Sequence, residues 1–169
     1  VKKITINQFV MIQTENLLHE LIEKHGNTRD GLLPILQGVV AKENYLSEPR
    51  MVEIAKALNI SSAEVYGTAS FYTYLFTKPM GKNVIRVCKT ISCKMAGKQE
   101  IIKAIEKTLK IKVGETTRDK NFTFIETNCL GWCHKGPVMI INDEVYPEIT
   151  PERAVEILCE MDPKHLSKF

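Results

Sequence analysis

The chain has 169 residues, 44% of them hydrophobic and 25% charged, with a formal net charge of +3. This is enough for one medium domain or two small ones with a genuine core, it argues against a disordered chain, and the charge is too small to point to nucleic acid. No apolar run approaches the ~18 residues of a membrane span, and neither a secretory h-region nor an Arg/Ser-rich leader is visible, so no direct membrane insertion and a cytoplasmic location are expected.

Residues 1–80 read as a helical bundle. Leu17, Leu18, Leu21 and Ile22 recur at helical spacing, with Gly26 as a stop. Leu32, Leu33, Leu36, Val39 and Val40 mark a second helix. Ser47 caps a third, with Pro49 in its first turn and Met51, Ile54, Ala55 and Leu58 on one face. Ser61 and Glu64 form a capping-box pattern for a fourth helix over 62–74. Pro79 and Gly81 then break the pattern, which sets a domain boundary between 1–80 and 81–169.

The second domain alternates. Asn83–Cys88 reads as a strand, residues 97–110 as an amphipathic helix with Ile101, Ile105 and Leu109 inward and Lys103, Lys107 and Lys110 outward, and Phe122–Thr127 as a second strand. Residues 138–141 and Glu144–Tyr146 flank Asn142-Asp143, a two-residue hairpin turn. Thr150-Pro151 starts a last helix with Val155 and Leu158 on its apolar face. The order β-α-β-β-α gives an α+β chain, a helical bundle followed by a small mixed sheet carrying helices.

Five cysteines, Cys88, Cys93, Cys129, Cys133 and Cys159, all lie beyond residue 80. An odd number without a secretion signal is a poor disulfide framework and reads better as a metal or redox site. Cys88-x4-Cys93 and Cys129-x3-Cys133 each begin where a predicted strand ends, so four sulfurs can converge from two adjacent loops. Structural zinc knuckles generally use C-x2-C; these wider intervals, with Gly131 in the second loop, favour an iron–sulfur cluster over zinc or redox dithiols, both of which spacing leaves open. Residues 81–120 carry eleven basic and four acidic side chains, so positive charge surrounds the first pair.

These cysteine pairs, with Leu130-Gly131-Trp132 inside the second and Gly136-Pro137-Val138 after it, resemble the thioredoxin-like 2Fe–2S subunit of NADH dehydrogenases. That family includes the small flavoprotein-partner subunit of respiratory complex I and its counterparts in NAD-dependent, electron-bifurcating hydrogenases and formate dehydrogenases. The likeness extends to Leu33-Pro34-Ile35-Leu36, Ala63-Glu64-Val65-Tyr66-Gly67, Ala69-Ser70-Phe71-Tyr72, Gly114-Glu115-Thr116-Thr117 and Asn142-Asp143-Glu144-Val145-Tyr146, covering most of the chain. The resemblance implies a thioredoxin-like second domain and one 2Fe–2S cluster on Cys88, Cys93, Cys129 and Cys133. It also implies an NADH-binding flavoprotein partner carrying FMN and NAD(H), accompanied by further iron–sulfur or hydrogenase subunits. A soluble bifurcating hydrogenase-type complex is the first expectation, on the Asn142–Tyr146 wording. Trp132 and His134 depart from the family, which often has a small residue and a residue other than histidine there.

No G-x-G-x-x-G, Walker-A loop or hydrolytic triad is present, so the chain reads as an electron-transfer subunit without a complete active site of its own. A stand-alone ferredoxin is a rival class. Another is an iron–sulfur regulator, suggested by the helix-turn-helix-like residues 51–72; it is disfavoured because residues 61–76 contain no Lys or Arg. That same stretch has one charge, Glu64, and five aromatics, and reads either as a core helix or as a helix covered by another subunit. Cys159 reads as a small buried hydrophobe, and His19, His25 and His165 as surface residues.

Overall fold

The structure, a computed structural model, describes residues 6–163, with side chains from residue 16 onward; His165 lies outside this range. The chain divides into two compact units, Val1–Pro79 and Met80–Phe169.

The first unit is made of helices α1 (Ile6–His25), α2 (Leu32–Glu43), α3 (Glu48–Ala57) and α4 (Ser62–Phe71). Its core is built from the apolar faces that the helical spacing indicates: Ile35, Leu36, Val39, Ile54, Val65 and Ala69 are fully buried, and Leu18, Leu21 and Ile22 of α1 pack against them. At Gly38 a β-carbon would lie 2.4 Å from Leu21 Cδ2, so glycine is what lets α1 approach α2 this closely. Arg50, although buried, is held by the carboxylates of Glu43 and Glu53.

Ser47 and Ser61 cap α3 and α4, accepting hydrogen bonds from the Arg50 and Glu64 N–H groups at 3.4 and 3.2 Å. The capping box is only half realised, because the Glu64 carboxylate pairs with Arg29 at 2.6 Å. Helix α4 ends at Phe71 rather than 74: Tyr72 turns extended, and the chain folds back so that Leu75 enters the core and Phe76 O accepts from Leu46 N–H at 2.7 Å. Burying Leu75 outweighs continuing a helix whose next residues have nothing to bury.

The second unit contains β1 (Asn83–Cys88), α5 (Ile91–Met95), α6 (Lys98–Leu109), β2 (Phe122–Thr127), β3 (Met139–Ile141), β4 (Glu144–Tyr146) and α7 (Pro151–Met161). The sheet order is β2-β1-β3-β4; β1 and β2 are parallel, the other pairs antiparallel. A parallel neighbour requires a crossover, which α6 supplies. Ile101, Ile105 and Leu109 of α6, with Ala154, Ile157 and Leu158 of α7, close the core over Ile85, Val87, Phe122, Phe124 and Met139. Thr150 caps α7, accepting from Arg153 N–H at 3.2 Å.

Two positions fix the sheet. Asn142, left-handed at the hairpin turn (φ 55), accepts from Val84 N–H through Oδ1 at 2.9 Å and thereby pins the hairpin to β1. At Gly81 a β-carbon would lie 2.8 Å from the Phe122 carbonyl carbon, so the entry to β1 passes against the backbone of β2. Ahead of β2 the chain runs back along that strand's outer edge: Gly114 and Thr117 N–H donate to Phe124 O and Phe122 O at 2.6 and 2.8 Å. No helix among the described residues is long and apolar enough to cross a membrane.

Candidate metal centre

Parallel pairing places Cys88 opposite Thr127, so β1 and β2 deliver their following loops to the same end of the sheet. The first loop turns through the short helix α5, and Cys93 sits inside it. That helix is not among the elements expected from the sequence; Thr90 before an apolar residue is a weak N-cap signal for it. Thr90 does not use its hydroxyl as a cap: Oγ1 lies 3.0 Å from Cys88 Sγ.

The four sulfurs form two pairs. Cys88 stands near enough to Cys93 to raise its thiol, and Cys129 Sγ lies 3.2 Å from Cys133 Sγ. The loops lie close to each other: the Leu130 N–H of the second lowers the Cys88 thiol of the first, and Cys133 feels the charge of both Cys88 and Cys93. Cys88 and Cys93 are buried, whereas Cys129 and Cys133 are exposed. Among the described residues, no three His, Cys, Asp or Glu side chains gather as a cage for a single ion.

Backbone donors aim at the sulfurs. Gly131 N–H donates to Cys129 Sγ at 3.4 Å, and the Thr90 and Val138 N–H groups act to lower the Cys88 and Cys93 thiols. Gly131 has φ 85, a conformation glycine adopts without strain. Burial, the strongest single influence, pushes the Cys88 thiol up, but the Thr90 hydroxyl and the Thr90 and Leu130 N–H groups outweigh it and leave Cys88 below an ordinary thiol. Cys93 is raised by burial and then by Cys88, and Cys133 by its hydrogen bond with Cys129 and by that group's charge. The group thus holds one sulfur favoured as thiolate and two, Cys93 and Cys133, that resist ionisation beside it.

Trp132 and His134 stack, centroids 5.7 Å apart at 19°, on the exposed side of the second loop. Cys159 stands apart on α7: it is half-buried rather than buried and lines a cavity of about 750 Å³ between α6 and α7. His19 lies at the surface, 3.5 Å from Glu23 one helical turn on, and His25 is half-buried. In residues 61–76 Val65, Ala69 and Leu75 are buried, while Tyr66, Phe71, Tyr72 and Tyr74 are exposed. The core reading therefore holds for one face of α4 only.

A model of the thioredoxin-like [2Fe-2S] ferredoxin family matches residues 18–162. The chain belongs to this family. Among the chain's relatives are three proteins named as the same subunit of NADH-quinone oxidoreductase. That of Buchnera aphidicola subsp. Acyrthosiphon pisum is 42% identical over 73% of this chain and 76% of its own length. That of Buchnera aphidicola subsp. Baizongia pistaciae is 35% identical over 94% and 92%, and that of Escherichia coli K12 is 36% identical over 86% and 87%. The fold is shared with a NAD+-reducing [NiFe]-hydrogenase in its air-oxidized state, at a TM-score of 0.72 and 22% identity over 83% of this chain. This chain spans only 24% of that hydrogenase chain. The α+β, thioredoxin-like expectation is met.

Proposed function

We propose that Cys88, Cys93, Cys129 and Cys133 ligate one 2Fe–2S cluster, and that the chain exchanges single electrons with the FMN of an NADH-binding partner subunit. The observation that carries this is the delivery of two cysteine pairs to one end of the sheet by the parallel strands β1 and β2, so close that a β-carbon at Gly136, just past the second pair, would lie 3.5 Å from Cys93 Sγ of the first. Two pairs suit a two-iron rhomb, with one pair for each iron, better than a single tetrahedral ion. When bound, such a cluster stores and releases one electron. The protein's own part is to hold the sulfurs at fixed spacing and to aim backbone N–H groups from Thr90, Leu130, Gly131 and Val138 at them. Those donors offset negative charge and favour the reduced state. Cys88 and Cys93 anchor the site inside the unit, and Cys129 and Cys133 bring it to the surface.

NADH delivers two electrons as hydride, and a flavin is the usual converter to single electrons. The given sequence carries no nucleotide-binding fingerprint, which is in keeping with hydride chemistry on a partner. The names of its relatives make a quinone-linked NADH oxidoreductase the host complex best supported. A soluble, electron-bifurcating hydrogenase-type complex is the second reading, on the Asn142–Tyr146 segment. The docking role falls first to the helical unit, where Tyr66, Phe71, Tyr72 and Tyr74 present an exposed aromatic surface with few charges.

Purified without oxygen, the chain is expected to contain two irons and two sulfides, and to give a rhombic EPR signal on reduction. Alanine at any of the four cysteines is expected to lose the native cluster, while Cys159→Ala keeps it. NADH is expected to reduce the cluster only when the flavoprotein is present. Stoichiometric zinc without sulfide, or rapid reduction by NADH in the absence of any flavin, would overturn the reading.

A further inference from the structure

The two cysteine loops share a composition that ligation does not explain. Residues 88–98 and 128–138 contain no Asp or Glu. Lys89, Lys94 and Lys135 in them are exposed. So are three large apolar side chains: Ile91 at 67%, Met95 at 84% and Trp132 at 38%. Glu126, just before the second loop, is taken up by Lys98, Nζ to Oε1 2.6 Å. Glu148 meets the second loop through its backbone, donating to Lys135 O at 2.9 Å. The loops that carry the exposed pair Cys129 and Cys133 therefore present large apolar and cationic side chains together, with Glu148 as an exposed acidic neighbour.

Apolar side chains this exposed indicate a covered surface, and the lysines among them select what covers it. We propose that this collar is a reversible docking face for an acidic redox protein, one that presents apolar side chains together with Asp and Glu, and that it is separate in kind from the aromatic surface of α4. This rests on the cluster being bound as described above. The α4 surface has few charges and suits a lasting grip; the collar is charged and suits fast, salt-sensitive engagement at the point where the electron crosses. Such a division lets an assembled complex form and break the electron-transfer contact without coming apart.

The test uses the full chain with its cluster and two small reductants of opposite charge: the methyl viologen radical cation and the reduced, anionic sulfonatopropyl viologen. Each gives up one electron and the cluster gains one. At low salt the anionic reductant is expected to be faster, roughly tenfold, with the advantage shrinking as NaCl is added. The variants K89E/K94E/K135E and K89Q/K94Q/K135Q are expected to reverse and to abolish the preference. K103E/K107E, on the outer face of α6, is expected to leave it nearly intact, and the visible spectrum reports cluster content in every variant.

In the second arm the co-purifying NADH-binding flavoprotein is the probe. The rate of cluster reduction by NADH is expected to fall with NaCl and in the Lys→Gln variant, while co-elution persists. Equal rates for the two viologens at low salt, or a flavoprotein-linked rate indifferent to salt in a complex that stays together, would overturn the docking proposal. Failure of NADH to reduce the cluster through the flavoprotein, with the viologen preference intact, would instead overturn the assigned partner and leave the collar standing.

Discussion

Lys98, the first residue of α6, reaches Glu126 near the end of β2, with Nζ 2.6 Å from Oε1, and so ties the exit of one cysteine loop to the entrance of the other. Lys98 is 3% exposed, whereas Glu126 stays partly in solvent. Removing the lysine leaves a void and a carboxylate that water can still reach. Lys98→Ala is therefore expected to cost about 1–3 kcal/mol, and Lys98→Met, which keeps the buried stem, less. Urea unfolding of the three proteins measures this. If the tie also orders the loops, the alanine variant loses its cluster faster to an iron chelator.

Thr90 offers a second test. Its hydroxyl lies 3.0 Å from Cys88 Sγ. A hydroxyl donating to a ligating thiolate stabilises the more negative, reduced state. Thr90→Val keeps the shape and removes the donor. Its cluster is expected to assemble with unchanged stoichiometry and a lower reduction potential, measured by EPR-monitored titration.

Two glycines predict opposite outcomes. Gly67 lies within α4, and a β-carbon added there would have nothing within 4 Å, so Gly67→Ala is expected to stabilise the isolated chain by about 0.5–1 kcal/mol through helix propensity. At Gly81 the added carbon would meet the Phe122 and Thr123 backbone at 2.8 and 3.0 Å, and backbone cannot swing aside. Gly81→Ala is expected to lower the melting temperature. If α4 packs closely on a partner, Gly67→Ala stabilises the free chain yet weakens the complex, and a pull-down against thermal melting separates the two effects.

The alkaline limit of stability has a named contributor. Burial, followed by Glu144, pushes the Tyr146 hydroxyl up to about 12 from 10. The folded state thus holds this proton more tightly than the unfolded chain. The associated stability is present in full below pH 10 and is lost as pH rises through about 12. Tyr146→Phe, which has no proton to lose, is expected to flatten that part of the stability profile when urea midpoints are compared across the alkaline range up to about 12.

Sequence periodicity found the elements that bury one face. Asn83–Cys88, Phe122–Thr127 and Glu144–Tyr146 appear with the bounds the pattern indicates, because alternating or continuous apolar residues between turn signals leave few other solutions. Helix α5 escaped because five residues with Ile91 and Met95 pointing outward bury almost nothing except Cys93. The end of α4 differs from the pattern because what stops it is distant: Leu75 needs the core and Leu46 N–H needs Phe76 O. At the cysteines, spacing singled out two pairs whose loops leave the same end of the sheet, but not their division into a buried and an exposed pair. That division depends on how the loops leave the sheet, which no local pattern encodes.

The sheet has few ways to grow. The outer edge of β2 is already taken by the preceding segment, whose Gly114 and Thr117 N–H groups satisfy it. The other edge, β4, is three residues long and exposes Glu144, both features that discourage strand addition. Among the described residues a neighbouring protein finds only this short, charged ladder to extend, so recruitment into a larger assembly falls mainly to side chains on helices and loops. Those surfaces can drift in sequence without unpairing a strand, which leaves the same electron-carrying core free to be refitted to different hosts.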